Sequence, residues 1–237
     1  MTTSRAGNRL IALFICFAFT GCAELTRSNS QKRNPLRPGD RDSIVYVALG
    51  DSTGTGLGAR NGGGYVELLF KRIQQIRPGS RLVNLSTAWA TSADVLKSQI
   101  SKVAESHPTL VTIGIGINDV LQSVGEQEFE ENYEKIISQL DTVGAVTVIV
   151  NLADLSGAPM LLRSPGSGIE FRIKSFNQCI ARVATRHNLK LVDLYDTTKD
   201  ILRVHPELFS ADGMHPSDAG YKLWAETMWP LVKQAIE

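Results

Sequence analysis

Five short apolar segments alternate along this chain with segments of helical periodicity, and this alternation restricts the fold more than any other feature. The apolar segments cover residues 44–49, 81–85, 110–115, 145–150 and 190–194. The helical segments cover residues 65–76, 92–103, 128–140, 169–187 and 217–236. Short apolar strands joined by helices are typical of a parallel sheet buried on both faces. We therefore predict a three-layer α/β/α domain around a five-stranded parallel sheet.

The length and charge of the chain exclude several classes of function. A chain of 237 residues can bury one substantial core, and one folded domain is the simplest interpretation. The formal net charge is only +1 and 7% of the residues are aromatic, so we expect no nucleic-acid partner. Cysteines and histidines do not occur at metal-ligand spacing, so we expect no metal and no other cofactor. We expect a monomer.

The first 21 residues are typical of an export signal. Two arginines precede an apolar run over residues 10–19, which is shorter than the roughly 20 apolar residues of a comfortable membrane span. The run ends in FTGC at residues 19–22, which resembles a bacterial lipobox with Cys22 as the lipid acceptor, although phenylalanine stands where leucine is usual. We predict a lipoprotein signal peptide over residues 1–21. A plain signal peptide that happens to contain Cys22 is the alternative.

The segment that follows the signal is polar and lacks apolar periodicity. Residues 22–42 include Pro35, Pro38 and Gly39, a composition that favours a flexible tether. The folded domain is therefore expected over residues 43–237. If Cys22 carries acyl chains, the mature protein is exported and anchored to a membrane of the bacterial cell envelope.

Polar side chains with complementary chemistry follow the predicted strands. Ser52 comes directly after the first strand in the motif GDST, and Asn118 follows the third strand in GIND. Asp212 and His215 lie three residues apart near the C-terminus, so the carboxylate can orient the imidazole. The carboxyl ends of parallel strands meet at one edge of a sheet, where functional groups gather. A nucleophile, a base, an orienting carboxylate and an oxyanion donor are the parts that a serine hydrolase needs.

At these motifs the chain resembles the SGNH, or GDSL, hydrolase family, from about residue 44 to the C-terminus. The resemblance implies a flavodoxin-like fold and places the family's catalytic serine on Ser52, its aspartate on Asp212 and its histidine on His215. It also places the oxyanion hole on the backbone N–H of Ser52 and on Asn118. The sequence GGY at residues 63–65 is similar to bacterial esterases of this family.

One position departs from the family pattern. The segment that begins at Asn84 resembles the family's second motif, in which a glycine five residues after the asparagine donates its backbone N–H to the oxyanion hole. Here that position is Trp89. Tryptophan has the same N–H, but glycine allows backbone angles that tryptophan disfavours. We retain Trp89 as an oxyanion donor, and its indole either lines the acyl pocket or lies in the core.

The sequence thus predicts a GDSL-type esterase that hydrolyses small-molecule carboxylic esters through an acyl-enzyme on Ser52. One alternative is an acyltransferase that uses the same residues to acylate a sugar or lipid hydroxyl. Another is a non-catalytic binding lipoprotein on the same fold. The loop at residues 156–168 either contacts an apolar acyl chain or is a plain surface excursion.

Overall fold

Five parallel strands form one sheet in the computed structural model, which describes residues 1–2, 43–162 and 168–237. The strands are β1 (Val45–Gly50), β2 (Arg81–Asn84), β3 (Leu110–Gly114), β4 (Val146–Val150) and β5 (Lys190–Val192). Their order across the sheet is β2-β1-β3-β4-β5, and every neighbouring pair is parallel. This is the flavodoxin-like order, so the predicted fold is confirmed.

Helices cover both faces of the sheet. The described helices are α1 (Tyr65–Ile76), α2 (Ser92–Asp94), α3 (Ile100–Glu105), α4 (Ile117–Leu121), α5 (Glu126–Val143), α6 (Pro159–Leu162), α7 (Ile169–Arg186), α8 (Leu194–Val204) and α9 (Asp218–Ile236). Helix α1 packs beside α9, and α5 packs between α3 and α7. The first and last helices of the domain are therefore neighbours.

The central strands are buried because both of their faces meet helices. In β1, Tyr46, Val47, Ala48 and Leu49 are fully buried. A strand covered on both sides needs apolar residues at every position, not only at alternate ones. This requirement explains the continuous apolar runs in the sequence.

Several predicted boundaries were wrong, and the chain between β2 and β3 differs most. The predicted helix over residues 92–103 is divided by a π-helical turn at Val95–Gln99, and its N-cap is Thr91. The Thr91 side chain accepts a hydrogen bond from the backbone N–H of Asp94. A π turn inserts one extra residue into a helix and is frequent near functional sites.

Three further helices were not predicted from the sequence. Helix α4 carries the predicted site residue Asn118, and the short α6 lies within the segment predicted as a loop. Helix α8 begins at Leu194, which had been assigned to the last strand. It begins there because the Asp193 side chain accepts a hydrogen bond from the backbone N–H of Asp196 and caps the first turn.

The predicted signal peptide and tether, including Cys22, lie outside the described residues except for the first two positions of the chain. Their boundaries at residues 21 and 42 remain predictions. Among the helices of the described residues, none combines the length and the apolar character that crossing a membrane requires.

Candidate active site

Ser52 lies in a tight turn at the carboxyl end of β1, and its side chain is almost fully buried. Asp51 holds the turn, because its Oδ1 accepts hydrogen bonds of 2.8 Å from both the backbone N–H and the hydroxyl of Thr53. Gln99 fixes the preceding residue: its Oε1 accepts the N–H of Gly50, and its Nε2 donates to the carbonyl of Gly50. The backbone on both sides of Ser52 is therefore tied down.

Glycine at position 50 is required by the approach of the neighbouring strand. A Cβ atom added to Gly50 would lie 2.6 Å from the carbonyl oxygen of Gly114 at the end of β3. Because glycine has no Cβ atom, it allows two backbones to approach each other closely. It brings the turn that carries Ser52 next to the segment that leads to Asn118.

The structure brings Ser52, His215 and Asp212 together in hydrogen-bonding order. The Nε2 of His215 lies 2.9 Å from the Oγ of Ser52, and the Nδ1 lies 2.7 Å from the Oδ2 of Asp212. His215 is 6% exposed, so its ring is held between the two partners with little freedom to turn. These distances allow proton transfer between the serine hydroxyl and the imidazole.

Asp212 is held as a carboxylate by its own turn. Burial opposes ionisation, but backbone N–H groups of Met214 and His215, the His215 ring and the Ser210 hydroxyl all hydrogen-bond to the carboxylate. Together they lower the pKa of Asp212 to about 2. Asp212 is therefore charged at neutral pH and can stabilise a positive charge on His215.

Trp89 adopts the backbone conformation that glycine would have at this position. Its φ is +68°, in the left-handed region, which costs a non-glycine residue about 1–3 kcal/mol. Among the described residues, its backbone N–H donates to no protein acceptor. Trp89 thus has a conformation that glycine would adopt without strain, and its N–H stays available.

The indole of Trp89 is 61% exposed, so it does not lie in the core. It stands against His215, with the ring centroids 6.0 Å apart and the ring planes 85° apart. It also lines the cavity at Ser52. Of the two positions predicted for the indole, the structure supports the one at the pocket.

Asn118 connects α4 to the loop of Trp89. Its Nδ2 donates a 2.9 Å hydrogen bond to the carbonyl of Ala90 and has a second hydrogen left to donate. The next residue, Asp119, accepts hydrogen bonds from the backbone N–H and the hydroxyl of Ser92. Two adjacent residues of α4 thus hold the chain just after Trp89.

A narrow cavity of about 50 Å³ opens at Ser52. Its polar lining includes Ser52, Asn118 and His215. The apolar lining includes Ile115, Ile117, Val150, Leu152, Leu155 and Trp224. The described residues of the loop predicted at 156–168, including Leu161 and Leu162, are absent from this lining, whereas Leu155, just before the loop, is part of it.

Sequence reasoning missed the supporting residues Gln99 and Asp119 and the electrostatic state of Asp51. Asp51 is 2% exposed, and burial raises its pKa to about 6 against the opposing hydrogen bonds from Thr53. The position of Asp51 next to Ser52 was the signal for its part in the turn. Nothing in the sequence around Gln99 indicates that it reaches Gly50.

A flavodoxin-like sheet with a serine, a histidine and an aspartate at its carboxyl edge has the architecture of an SGNH-type hydrolase. Comparison with known proteins agrees. Residues 48–223 match the model of the GDSL-like lipase/acylhydrolase family, and the chain belongs to this family. The predicted class of enzyme, a GDSL-type carboxylic ester hydrolase, is thereby confirmed.

The relatives have the same fold. The chain is 27% identical to Esterase TesA of Pseudomonas aeruginosa over 192 residues, which cover 81% of this chain and 89% of TesA. A crystal structure of TesA superposes with a TM-score of 0.67 over 81% of this chain and 99% of that chain, at 27% identity. The acetylxylan esterase Axe2 of Geobacillus stearothermophilus superposes with a TM-score of 0.68 over 80% of this chain and 94% of its own, at 21% identity.

Proposed function

We propose that this protein hydrolyses carboxylic esters through an acyl-enzyme on Ser52. The observation that carries the proposal is the continuous hydrogen-bonded order from Ser52 through His215 to Asp212 at the mouth of an apolar cavity. Asp212 accepts from Nδ1 of His215, which leaves Nε2 to accept the proton of Ser52. The serine oxygen then attacks the ester carbonyl.

The remaining steps follow from the same atoms. The Oγ–carbon bond forms as the proton moves to His215, and the carbonyl oxygen becomes an oxyanion. Its donors are the N–H groups of Ser52 and Trp89 and the amide of Asn118. The carbon–oxygen bond to the alcohol breaks, and His215 returns the proton to the departing oxygen. Water then attacks the acyl-enzyme with His215 again as base, which releases the acid and restores Ser52.

The cavity favours a short, apolar acyl group. Its apolar walls include Ile115, Val150, Leu152, Leu155 and Trp224. A single buried water needs roughly 10–15 Å³ of cavity space, so about 50 Å³ accommodates only a small group. Burial of each acyl methylene contributes about 0.8 kcal/mol to binding, so the apolar walls favour an apolar acyl group.

Labelling with a fluorophosphonate tests the proposed nucleophile. The native protein should be labelled and should release acid from short-chain esters, and Ser52→Ala should lose both properties while its thermal unfolding is unchanged. Ser101→Ala, at an exposed serine on α3, is the matched control and should keep both. Label or activity retained by Ser52→Ala would refute the assignment. Ester products formed with an added alcohol would identify acyl transfer instead.

We propose in addition that the protein is exported and lipid-anchored through Cys22. The support lies in the sequence alone, in the apolar run over residues 10–19 and the lipobox-like residues that end it. Cells fed an alkyne fatty acid should label the native protein, and Cys22→Ser should abolish the label. Cys16→Ser, a change within the discarded signal, should leave it intact. Equal labelling of native protein and Cys22→Ser would refute the anchor.

A further inference from the structure

An exposed tryptophan stands beside His215 in a conformation that side chains other than glycine rarely adopt. Trp89 combines φ +68° with 61% exposure, so neither backbone preference nor burial of the indole accounts for a tryptophan here. A strained residue persists when the surrounding structure imposes its conformation, and such residues cluster at functional sites. The Asn118 amide supplies that constraint through the carbonyl of Ala90.

The position of the Trp89 indole beside His215 indicates which part of an ester it would contact. His215 gives its proton to the departing alcohol oxygen, so the alcohol part must lie against the imidazole. The ring of Trp89 stands at this imidazole, 6.0 Å between centroids. The acyl part extends instead toward the buried cavity walls Val150 and Leu155, which are 2% and 8% exposed. The exposed indole is thus on the alcohol side of Ser52.

We infer that the indole of Trp89 is a binding platform for the alcohol part of the ester and selects alcohols that contain a ring. This inference rests on the proposed hydrolase function. A flat, exposed indole face gains most from a flat partner, either an aryl ring or the C–H face of a sugar. A linear alkyl alcohol covers less of the indole and loses more conformational freedom on binding.

The experiment keeps the acyl group constant and changes the alcohol. Acetate esters of four primary alcohols are compared: ethanol, benzyl alcohol, cyclohexylmethanol and a methyl glucopyranoside acetylated on its primary hydroxyl. The measured quantity is kcat/KM, because it reports formation of the acyl-enzyme, the step in which the alcohol leaves. Every ester gives the same acetyl-enzyme, so the later hydrolysis step is common to all.

Trp89→Gly is the informative variant because glycine keeps the N–H donor and fits the left-handed backbone. We expect it to lower kcat/KM for the ring-containing esters about tenfold relative to ethyl acetate, the size of effect that one lost apolar or ring contact gives. Trp89→Phe should retain most of the selectivity. Phe171→Ala removes an aromatic side chain that is 72% exposed and is absent from the cavity lining, and it should change nothing.

The pattern among the esters identifies the partner. A loss confined to the sugar ester indicates a carbohydrate alcohol, and a loss confined to the benzyl ester indicates an aryl alcohol. An unchanged ratio of ring esters to ethyl acetate in Trp89→Gly would overturn the inference. So would a loss that follows acyl length in a series of ethyl esters. If the native protein hydrolyses none of these esters, the proposed function fails, and the inference fails with it.

Discussion

The side-chain amide of Asn118 donates a hydrogen bond to the backbone carbonyl of Ala90, 28 residues earlier in the chain. The same amide is a proposed oxyanion donor. The backbone N–H of Trp89, the residue before Ala90, is another. Asn118→Ala should therefore lower kcat by about 10³ or more, beyond the 10²–10³ typical of one lost donor. KM should change little, because these interactions strengthen only in the transition state. Steady-state kinetics on a short-chain ester measure both. Gln122→Ala, an exposed amide at the end of α4, is the control.

The charge of Asp212 should matter more than its shape. Asp212→Asn keeps the size of the side chain but cannot stabilise a positive His215, and it allows the imidazole to adopt the wrong tautomer. By comparison with the serine protease triad, kcat should fall by about 10⁴. Asp196→Asn, an exposed carboxylate on α8, should have no effect. Near-native kcat in Asp212→Asn would remove Asp212 from the mechanism.

Asp51 should make the folded protein less stable as the pH rises. Its pKa is about 6 in the folded protein against an ordinary value of 3.8, so the folded chain binds more protons than the unfolded chain between these pH values. Stability then falls as the pH rises through this window. Asp51→Asn keeps an oxygen for the two Thr53 hydrogen bonds and should stabilise the protein by up to about 3 kcal/mol more at pH 8 than at pH 3. Thermal unfolding across this range measures the difference, and a pH-independent difference would contradict it.

The acyl cavity should accept longer chains when its wall is cut back. Leu155 is 8% exposed and lines the cavity, so Leu155→Ala should shift the preference among p-nitrophenyl esters from acetate toward hexanoate. The variant should also lose about 2–5 kcal/mol of stability, as other buried leucine truncations do. Leu162→Ala, at a leucine that is 63% exposed and absent from the lining, is the matched control. An unchanged chain-length profile in Leu155→Ala would place the acyl group elsewhere.

His187 links α5 and α7 away from the site and should stabilise the protein most at mildly acid pH. Burial disfavours its charged form, but hydrogen bonds to Glu134 and Asp141 outweigh burial and raise its pKa above 6.5. A raised histidine pKa contributes stability that is complete below the unfolded value and is lost as the pH rises through the folded value. His187→Gln should therefore lower Tm more at pH 5.5 than at pH 8.5.

The sequence predicted the sheet well because buried parallel strands demand uninterrupted apolar runs, which are local and easily recognised. It predicted α8 poorly because the apolar run of β5 continues into Leu194, and only the cap at Asp193 marks the change. Ser52, Asp212 and His215 were recognisable as motifs, and the structure places them together. Gln99 was not, because its contact with Gly50 joins residues 49 positions apart.

The conformation of Trp89 shows a different limit of sequence reasoning. Local backbone preference argues against a left-handed tryptophan, and therefore against its backbone N–H as an oxyanion donor. The loop adopts that conformation because Asn118 and Asp119 hold it from α4. Such tertiary contacts outweigh a local cost of about 1–3 kcal/mol, and no pattern within the loop itself could reveal them.

Ser52 and His215 lie 163 positions apart in the chain, and this separation has a consequence for the newly made protein. Ser52 follows the first strand, whereas His215 precedes the last helix, which packs beside the first. A chain still being synthesised therefore carries a serine without its base and cannot attack an ester. The site is complete only after the C-terminal part of the chain has packed against the turn that carries Ser52. Proteolytic removal of the C-terminal helix should abolish ester hydrolysis.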